Sequence, residues 1–178
     1  MFPDGKPGPL FLKTLQEDVV MPSRRQLIQM TPQEIDAYLG ASQERLIIVS
    51  NGKNGFPHPM PMNFYMDEGK NLWTTTFRKS QKVKNLERDP RVALLVESGK
   101  DYAELKAVII YAQVEIIDDK DVVLDTLIKI ASKFFPREQR QLDAVRAEVQ
   151  STAEKRVALK CTPLSYVSWD HTKLEGHY

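Results

Sequence analysis

The hydrophobic residues of the chain fall in short runs that are rich in Val, Ile and Leu and are bounded by Gly, Pro, Asn and Asp. Such runs are typical of β-strands. Seven of them predict strands, at 45–50, 57–66, 71–76, 91–97, 104–117, 156–161 and 164–169. Glycine-containing turns join the first three, so we predict that these three strands form an antiparallel meander.

Other segments have the hydrophobic period of a helix. Thr31-Pro32-Gln33-Glu34 offers an N-cap, a proline at the first helical position and a glutamate that reaches back, which predicts a helix from Pro32 to about Leu39. Further helices are predicted from about Ser80 to Arg88, from Asp118 or Asp119 to about Lys133, and from Pro136 to about Thr152. Short strands with a few outer helices favour a mainly β (α+β) fold, an antiparallel barrel that is closed or nearly closed.

The first part of the chain differs from the rest. Residues 1–30 contain four prolines and no clear hydrophobic period, which predicts an extended arm that can lie across a partner subunit. We expect residues 31–178 to form a single domain, since the sequence contains no internal repeat and no low-complexity tract.

Composition narrows the classes of function. Of 178 residues, 25 are Lys or Arg and 24 are Asp or Glu, so the net charge of +1 gives no global field for nucleic acid or an anionic membrane. Cys161 is the only cysteine, which excludes an intrachain disulfide and fits a reducing cytoplasm. No run of about 18 apolar residues predicts a membrane span. We therefore expect a cytoplasmic protein that binds a discrete ligand.

A group of hydroxyls and cations follows the strand at 71–76. Thr74 and Thr75 end this strand together with Thr76, and the basic and hydroxyl residues Arg78, Lys79, Ser80 and Lys82 stand at the start of the next helix. Hydroxyls and backbone N–H groups supply directional donors, and the cations supply charge, so the group predicts a phosphate pocket. The alternative is a solvated helix start.

The strand at 57–66 has an unusual edge. Pro57, Pro59 and Pro61 alternate with other residues, so one edge lacks three successive N–H donors and cannot pair fully. Met60 and Met62 are soft apolar contacts for a flat aromatic ligand beside that edge. The alternative is an edge strand that its prolines protect against aggregation.

The remaining chemical groups predict little. The three histidines, His58, His171 and His177, do not have the spacing of zinc ligands, so we predict no metal. Trp169 is placed either over a bound aromatic ring or in the core. Cys161 lies in a strand of Val and Leu and is expected to be a buried apolar residue.

The chain resembles the pyridoxamine 5′-phosphate oxidase-like, FMN-binding split β-barrel superfamily over about residues 31–170. The segments that carry the resemblance are PHPMPMNFYMDEGKNLWTTTFRKSQKVKNLERDPRVALLV, the long strand leading to VEIIDD, and SYVSWDH near the end. The resemblance implies a homodimer with a flavin at the subunit interface. It also implies an oxidoreductase whose catalytic residues it does not identify, because the flavin ring carries the hydride.

The resemblance assigns roles to individual residues. Lys82 and Ser80 would contact the flavin phosphate, with Arg78 and Lys79 nearby. Thr74 and Thr75 would line the ribityl chain and phosphate, and Lys106 would reach the flavin from the other subunit. The residues expected to face or close over the ring are Met60, Pro61, Met62, Asn63 and Trp169.

The end of the chain indicates which branch of the superfamily it resembles. Pyridoxamine phosphate oxidases carry an Arg-Leu-His-Asp-Arg-like signature near the C-terminus, whereas this chain has SWDHTKLEGHY. The resemblance is therefore to the reductase branch, whose members use FMN or the deazaflavin F420. We expect FMN, a nicotinamide-type donor and a small organic substrate; the alternatives are F420 and a noncatalytic flavin- or haem-binding module.

Overall fold

The computed structural model of the chain describes residues 23–134, 146–147 and 149–175. Its strands are β1 (Leu46–Asn51), β2 (Pro57–Met62), β3 (Tyr65–Met66), β4 (Leu72–Phe77), β5 (Arg91–Ser98), β6 (Lys106–Ile117) and β7 (Arg156–Asp170). They form one seven-stranded sheet of antiparallel pairs in the order β2-β1-β5-β6-β7-β4-β3. The fold is the predicted mainly β split barrel.

The sheet curls until its two ends meet. The Thr74 hydroxyl, on β4, donates a hydrogen bond of 2.8 Å to the carbonyl of Asn63, which directly follows β2. Alternate residues of the strands point into the curled sheet, as the period of two requires. Leu46 and Ile48 of β1 and Leu94 of β5 are fully buried there, and Phe64 fills the same core.

Within residues 23–134, four α-helices accompany the sheet: α1 (Arg24–Ile28), α2 (Pro32–Ala41), α3 (Gln81–Arg88) and α4 (Lys120–Phe134). Thr31 caps α2 in the predicted capping box with Glu34, and Ser80 caps α3 by accepting from the Val83 N–H. Asp119 caps α4 through the N–H groups of Asp121 and Val122. Because α4 packs on the outer face of β4 and β7, a second apolar cluster forms around Val123 and Ala158 there.

The predicted three-stranded meander is present, but its middle strand is not continuous. Its second strand divides at Asn63 into β2 and β3, and only β3 pairs with β4. β2 pairs with β1 alone, which makes it the edge strand that its prolines predict. The other edge of β4 pairs with β7, about 80 residues later in the chain, so no local turn signal indicates that pairing.

Other boundaries also differ from the predictions. The segments predicted at 156–161 and 164–169 form one strand, β7, with an irregularity in its register opposite Tyr111 and Ala112. Residues 1–22 of the predicted arm lie outside the described residues, and its last part contains the helix α1. The helix predicted at 136–152 lies largely outside them, although residues 146–147 and 149–153 are helical. Among the described residues, no helix is long and apolar enough to span a membrane.

Candidate functional site

A cavity of about 320 Å³ opens where the two ends of the sheet meet beneath α4. The end of β2, the middle of β4, the start of β7 and one face of α4 enclose it. The residues that line it are Arg45, Pro61, Met62, Asn63, Thr74, Thr75, Leu127, Ile130 and Arg156. The structure thus brings together five of the residues predicted from sequence, from two segments of the chain that do not pair with each other.

The turn between β3 and β4 holds the hydroxyl strand in place. Asp67 accepts hydrogen bonds from the Asn71 N–H (2.8 Å) and from the Trp73 ring N–H (2.7 Å). Burial alone would raise the pKa of Asp67, but the hydrogen bonds from Trp73 and Asn71 outweigh it and hold the pKa below its usual value. This ionised carboxylate fixes the start of β4, and with it the positions of Thr74 and Thr75.

Lys82 is a buried cation of α3 that contacts β4, the strand from which Thr74 and Thr75 line the cavity. Only 4% of its surface is exposed, and its ammonium group donates to the Thr76 hydroxyl at 2.9 Å. Burial lowers the pKa of Lys82, and the positive charge of Arg156 lowers it further. No described carboxylate forms an ion pair with Lys82. The charge is therefore removed from water without a compensating anion.

Arg156 is a second cation that forms no ion pair with a described carboxylate, and it is half-buried. Its guanidinium lies over the ring of Phe77, with 4.3 Å between the central carbon and the ring centre, and donates a long bond of 3.5 Å to the Thr75 hydroxyl. Burial lowers its pKa. Its Nε is buried and has no hydrogen-bond partner among the described residues. Because a buried guanidinium N–H is costly to leave unpaired, this atom indicates a missing acceptor.

Lys82 and Arg156, with the hydroxyls of Thr75, Thr76 and Ser80, form a group that we call the cationic pocket. The Ser80 and Thr76 hydroxyls are 3.3 Å apart. One buried cation, one half-buried cation and three hydroxyls without a carboxylate match the donor set that a phosphate monoester requires. The predicted phosphate pocket named Lys82 and Ser80 but not Arg156, which lies at the start of a distant strand.

Two further residues of the predicted phosphate pocket lie elsewhere. Arg78 forms an ion pair with Asp118 and also donates to the carbonyls of Glu154 and Arg156. Lys79 is exposed, and both residues line a separate cavity of about 490 Å³ next to Phe77. In this structure both cations point away from the cationic pocket, although they are its neighbours in sequence.

Lys106 and Trp169 lie at the far ends of β6 and β7. Arg156 and Trp169 are 13 residues apart along β7, which corresponds to about 43 Å at 3.3 Å per residue. Lys106 is paired there with Asp170, with 2.7 Å between Nζ and Oδ2. Neither residue belongs to the cavity within one copy of the chain. Met60 lies two residues before Met62 on β2 and is 37% exposed.

His171, Cys161 and Asp89 are engaged in structural contacts. His171 Nδ1 is 2.8 Å from the Tyr102 carbonyl, and Cys161 is buried with its pKa raised by burial to about 12. Asp89 forms an ion pair with Arg91, with 2.9 Å between Oδ1 and Nε. No three His, Cys, Asp or Glu side chains are grouped for a metal in the part of the chain that the structure describes.

A split barrel with a cation-lined cavity at its seam defines the class of protein, and comparison with known families agrees. The family model described as pyridoxamine 5′-phosphate oxidase matches residues 31–166. The chain therefore belongs to this family. A comparison with curated proteins gives no match.

Several solved structures share the fold. A conserved hypothetical protein, Rv2991 from Mycobacterium tuberculosis, is 26% identical over 88% of this chain and 95% of its own, with a TM-score of 0.76. A putative 5-nitroimidazole antibiotic resistance protein from Bacteroides thetaiotaomicron is 15% identical over 79% and 85% of the two chains, with a TM-score of 0.65. A structure named F420 reductase is 20% identical over 72% and 92%, with a TM-score of 0.55. The last two likenesses show the fold alone.

Proposed function

We propose that this protein is an FMN-dependent oxidoreductase that transfers hydride to or from a small organic molecule. The observation that carries the proposal is the cationic pocket, where Lys82 is buried without an anion and the buried Nε of the half-buried Arg156 has no partner among the described residues. The phosphate of FMN is the group that we place there. Membership of the pyridoxamine 5′-phosphate oxidase family supports the same assignment.

The energetics of the pocket favour a dianionic ligand. A buried charge without a partner costs several kcal/mol, so Lys82 and Arg156 destabilise the empty protein. A phosphate would accept from the Lys82 ammonium and from the unpaired Arg156 Nε, and each charge-assisted bond contributes about 1.5–3 kcal/mol. Binding would thus turn two unfavourable desolvations into ion pairs. A neutral ligand would leave both charges uncompensated.

The rest of the cavity fits the remainder of the cofactor. We assign Thr74 and Thr75 to the ribityl chain, and Met60 through Asn63 to the ring, beside the edge of β2 that its prolines leave without donors. When bound, the flavin supplies the hydride-transfer chemistry. The protein then needs to orient the ring and exclude water, which agrees with a cavity lined by Leu127 and Ile130 and lacking a carboxylate among its described lining residues.

We further propose that the protein works as a homodimer. Two rows of outward-facing residues cross β1, β5, β6 and β7: Val49, Ala93, Tyr111 and Ser165, and Ile47, Leu95, Ile109 and Val167. Tyr111 is 48% exposed, and Leu164 beside it is 65% exposed. An apolar sheet face of this width favours a second copy of the chain. Lys106 and Trp169 of that copy are the residues that we place near the flavin.

The absorbance spectrum of the freshly purified protein tests the proposal. We expect the two visible bands of a flavin, release of FMN on denaturation, and bleaching of the bands by NADH or NADPH without oxygen. A colourless protein that binds F420 but not FMN would overturn the choice of cofactor. A haem Soret band, or a flavin that no nicotinamide donor reduces, would favour the noncatalytic alternative.

Phosphate-site variants separate specific from adventitious flavin. Lys82→Met removes the buried cation, whereas Lys84→Met removes an exposed cation two residues later on the same helix. We expect the first variant to be purified with much less flavin and the second to match the wild type. Equal flavin content in both variants would contradict the assignment of Lys82.

A further inference from the structure

A second cavity, of about 380 Å³, lies between the β1–β2 hairpin and α3. Its lining residues are Gly52, Lys53, Asn54, Phe56, Pro57, His58, Gln81 and Asn85. His58 and Met62 are four residues apart on β2, or about 13 Å at 3.3 Å per residue. This cavity is therefore distinct from the one at the seam of the barrel, although α3 contributes to both sites.

The floor of the second cavity is polar where the fold predicts an apolar residue. Ser50 follows Leu46 and Ile48 on the core-facing side of β1, and it is as fully buried as they are. The Asn85 side chain is also fully buried; it donates to the Ser50 hydroxyl at 3.1 Å and accepts from Gln81 at 3.0 Å. Burying polar side chains such as Ser50 and Asn85 costs free energy unless they are hydrogen-bonded. One N–H of each amide stays available to a ligand.

His58 adds an atom that lacks a partner. Its Nδ1 is buried and forms no hydrogen bond with any described residue. His58 stands directly opposite Ser50 in the β1–β2 pair, so its ring lies beside the buried amides. Native proteins pair nearly all buried polar atoms, and an exception needs an explanation. A ligand in the cavity would provide one.

The mouth of the cavity carries a cation and an aromatic ring. Lys53 and Phe56 belong to the glycine-rich hairpin, and Phe56 is 71% exposed. A large exposed aromatic side chain beside a polar cavity is a stacking surface for a flat ring. The described lining residues include no carboxylate, so the donors of Lys53, Gln81, Asn85 and His58 face no negative charge.

We propose that this second cavity binds a small aromatic carboxylate. The carboxylate accepts from Lys53, from the free amide N–H groups of Gln81 and Asn85, and from the Nδ1–H tautomer of His58. The ring of the ligand lies against Phe56. The assignment does not depend on the flavin, because none of these residues belongs to the cationic pocket.

Titration of the purified protein with benzoate, followed by NMR of the histidine side chains, tests the proposal. Only three histidines are present, and His58→Gln assigns the His58 signals. We expect benzoate to shift these signals in a saturable way and benzamide to bind at least about tenfold more weakly, since it lacks the charge. The absorbance spectrum shows in the same sample whether any flavin is displaced.

Two surface variants sharpen the test without disturbing the fold. Lys53→Gln is expected to weaken benzoate binding about five- to tenfold and Phe56→Ser about fivefold. Lys100→Gln, an exposed lysine in another loop, is the control and should not change the affinity. No saturable shift at His58, equal affinity for benzamide, or an unchanged affinity in Lys53→Gln would each overturn the proposal. A protein that binds benzoate but binds no FMN would overturn only the proposed function.

Discussion

Two lysines in different regions of the barrel differ in whether a carboxylate compensates their charge. Lys82, on α3, is 4% exposed and donates to the neutral hydroxyl of Thr76. The Lys106 side chain, on β6, is 31% exposed and is paired with Asp170 at 2.7 Å. The more deeply buried cation is thus the one without a carboxylate.

The difference separates a buried charge that has no counterion from a charge in a complete ion pair. Burial alone would raise the pKa of Asp170, but hydrogen bonds from Lys106 and Thr172 outweigh it and keep the carboxylate ionised. That pair is complete within one copy of the chain. At Lys82, by contrast, burial and the neighbouring Arg156 both lower the pKa. A buried, uncompensated cation is typical of a functional site, and the proposed phosphate ligand would compensate the charge of Lys82.

The largest effect on stability is expected at the paired lysine. Lys106→Met leaves the Asp170 carboxylate, 7% exposed, without its cation, and we expect a loss of about 3 kcal/mol in the free energy of unfolding. Urea unfolding of the flavin-free protein measures it. Lys106→Met with Asp170→Asn should recover part of the loss. A loss below about 0.5 kcal/mol would show that the pair is only a surface contact.

Substitution of Lys82, which has no ion pair, is expected to raise the free energy of unfolding. In flavin-free protein, Lys82→Met replaces a buried charge by an apolar chain of similar length, so the free energy of unfolding should rise by about 1–2 kcal/mol. Lys84→Met, at an exposed position of the same helix, should change it by less than about 0.5 kcal/mol. Destabilisation by Lys82→Met would remove the contrast between the two lysines.

The smallest expected effect is a pH dependence of the stability that Lys82→Met gains. The pKa of Lys82 is lower in the folded chain than its usual 10.5, so between the two values the unfolded chain holds the extra proton and stability rises with pH. The advantage of Lys82→Met should therefore shrink as the pH rises towards 10.5. Unfolding curves of both proteins between neutral and alkaline pH measure it. A gain that is independent of pH would mean that Lys82 titrates alike in both states.

Local signals predicted much of the fold. The capping box of Thr31 and Glu34 appears as expected, because a cap depends on residues three positions apart, and the helix predicted from about Ser80 to Arg88 is α3. The proline edge of β2 is likewise a local property. The pairing of β4 with β7 is not a local property, since nothing in either strand specifies a partner so far away, and it was not predicted.

The candidate site was likewise predictable where its residues are close in sequence and not where distant strands meet. Thr74, Thr75, Ser80 and Lys82 were predicted because they are near one another in the sequence. Arg156 was missed because only the pairing of Phe77 with Arg156 brings it to the pocket. Conversely, proximity in sequence grouped Arg78 with Lys82, whereas the structure pairs Arg78 with Asp118. Charge alone does not show which way a side chain points.

The affinities of the flavin-free protein for FMN and for riboflavin test the central claim most directly. The two ligands differ only in the phosphate, so their ratio isolates the cationic pocket from the ring site. The account predicts that the wild type prefers FMN by at least about 100-fold, and that Lys82→Met reduces this preference about 10- to 100-fold while leaving riboflavin binding unchanged. Equal affinities for the two ligands in the wild type, or an unchanged preference in Lys82→Met, would contradict it.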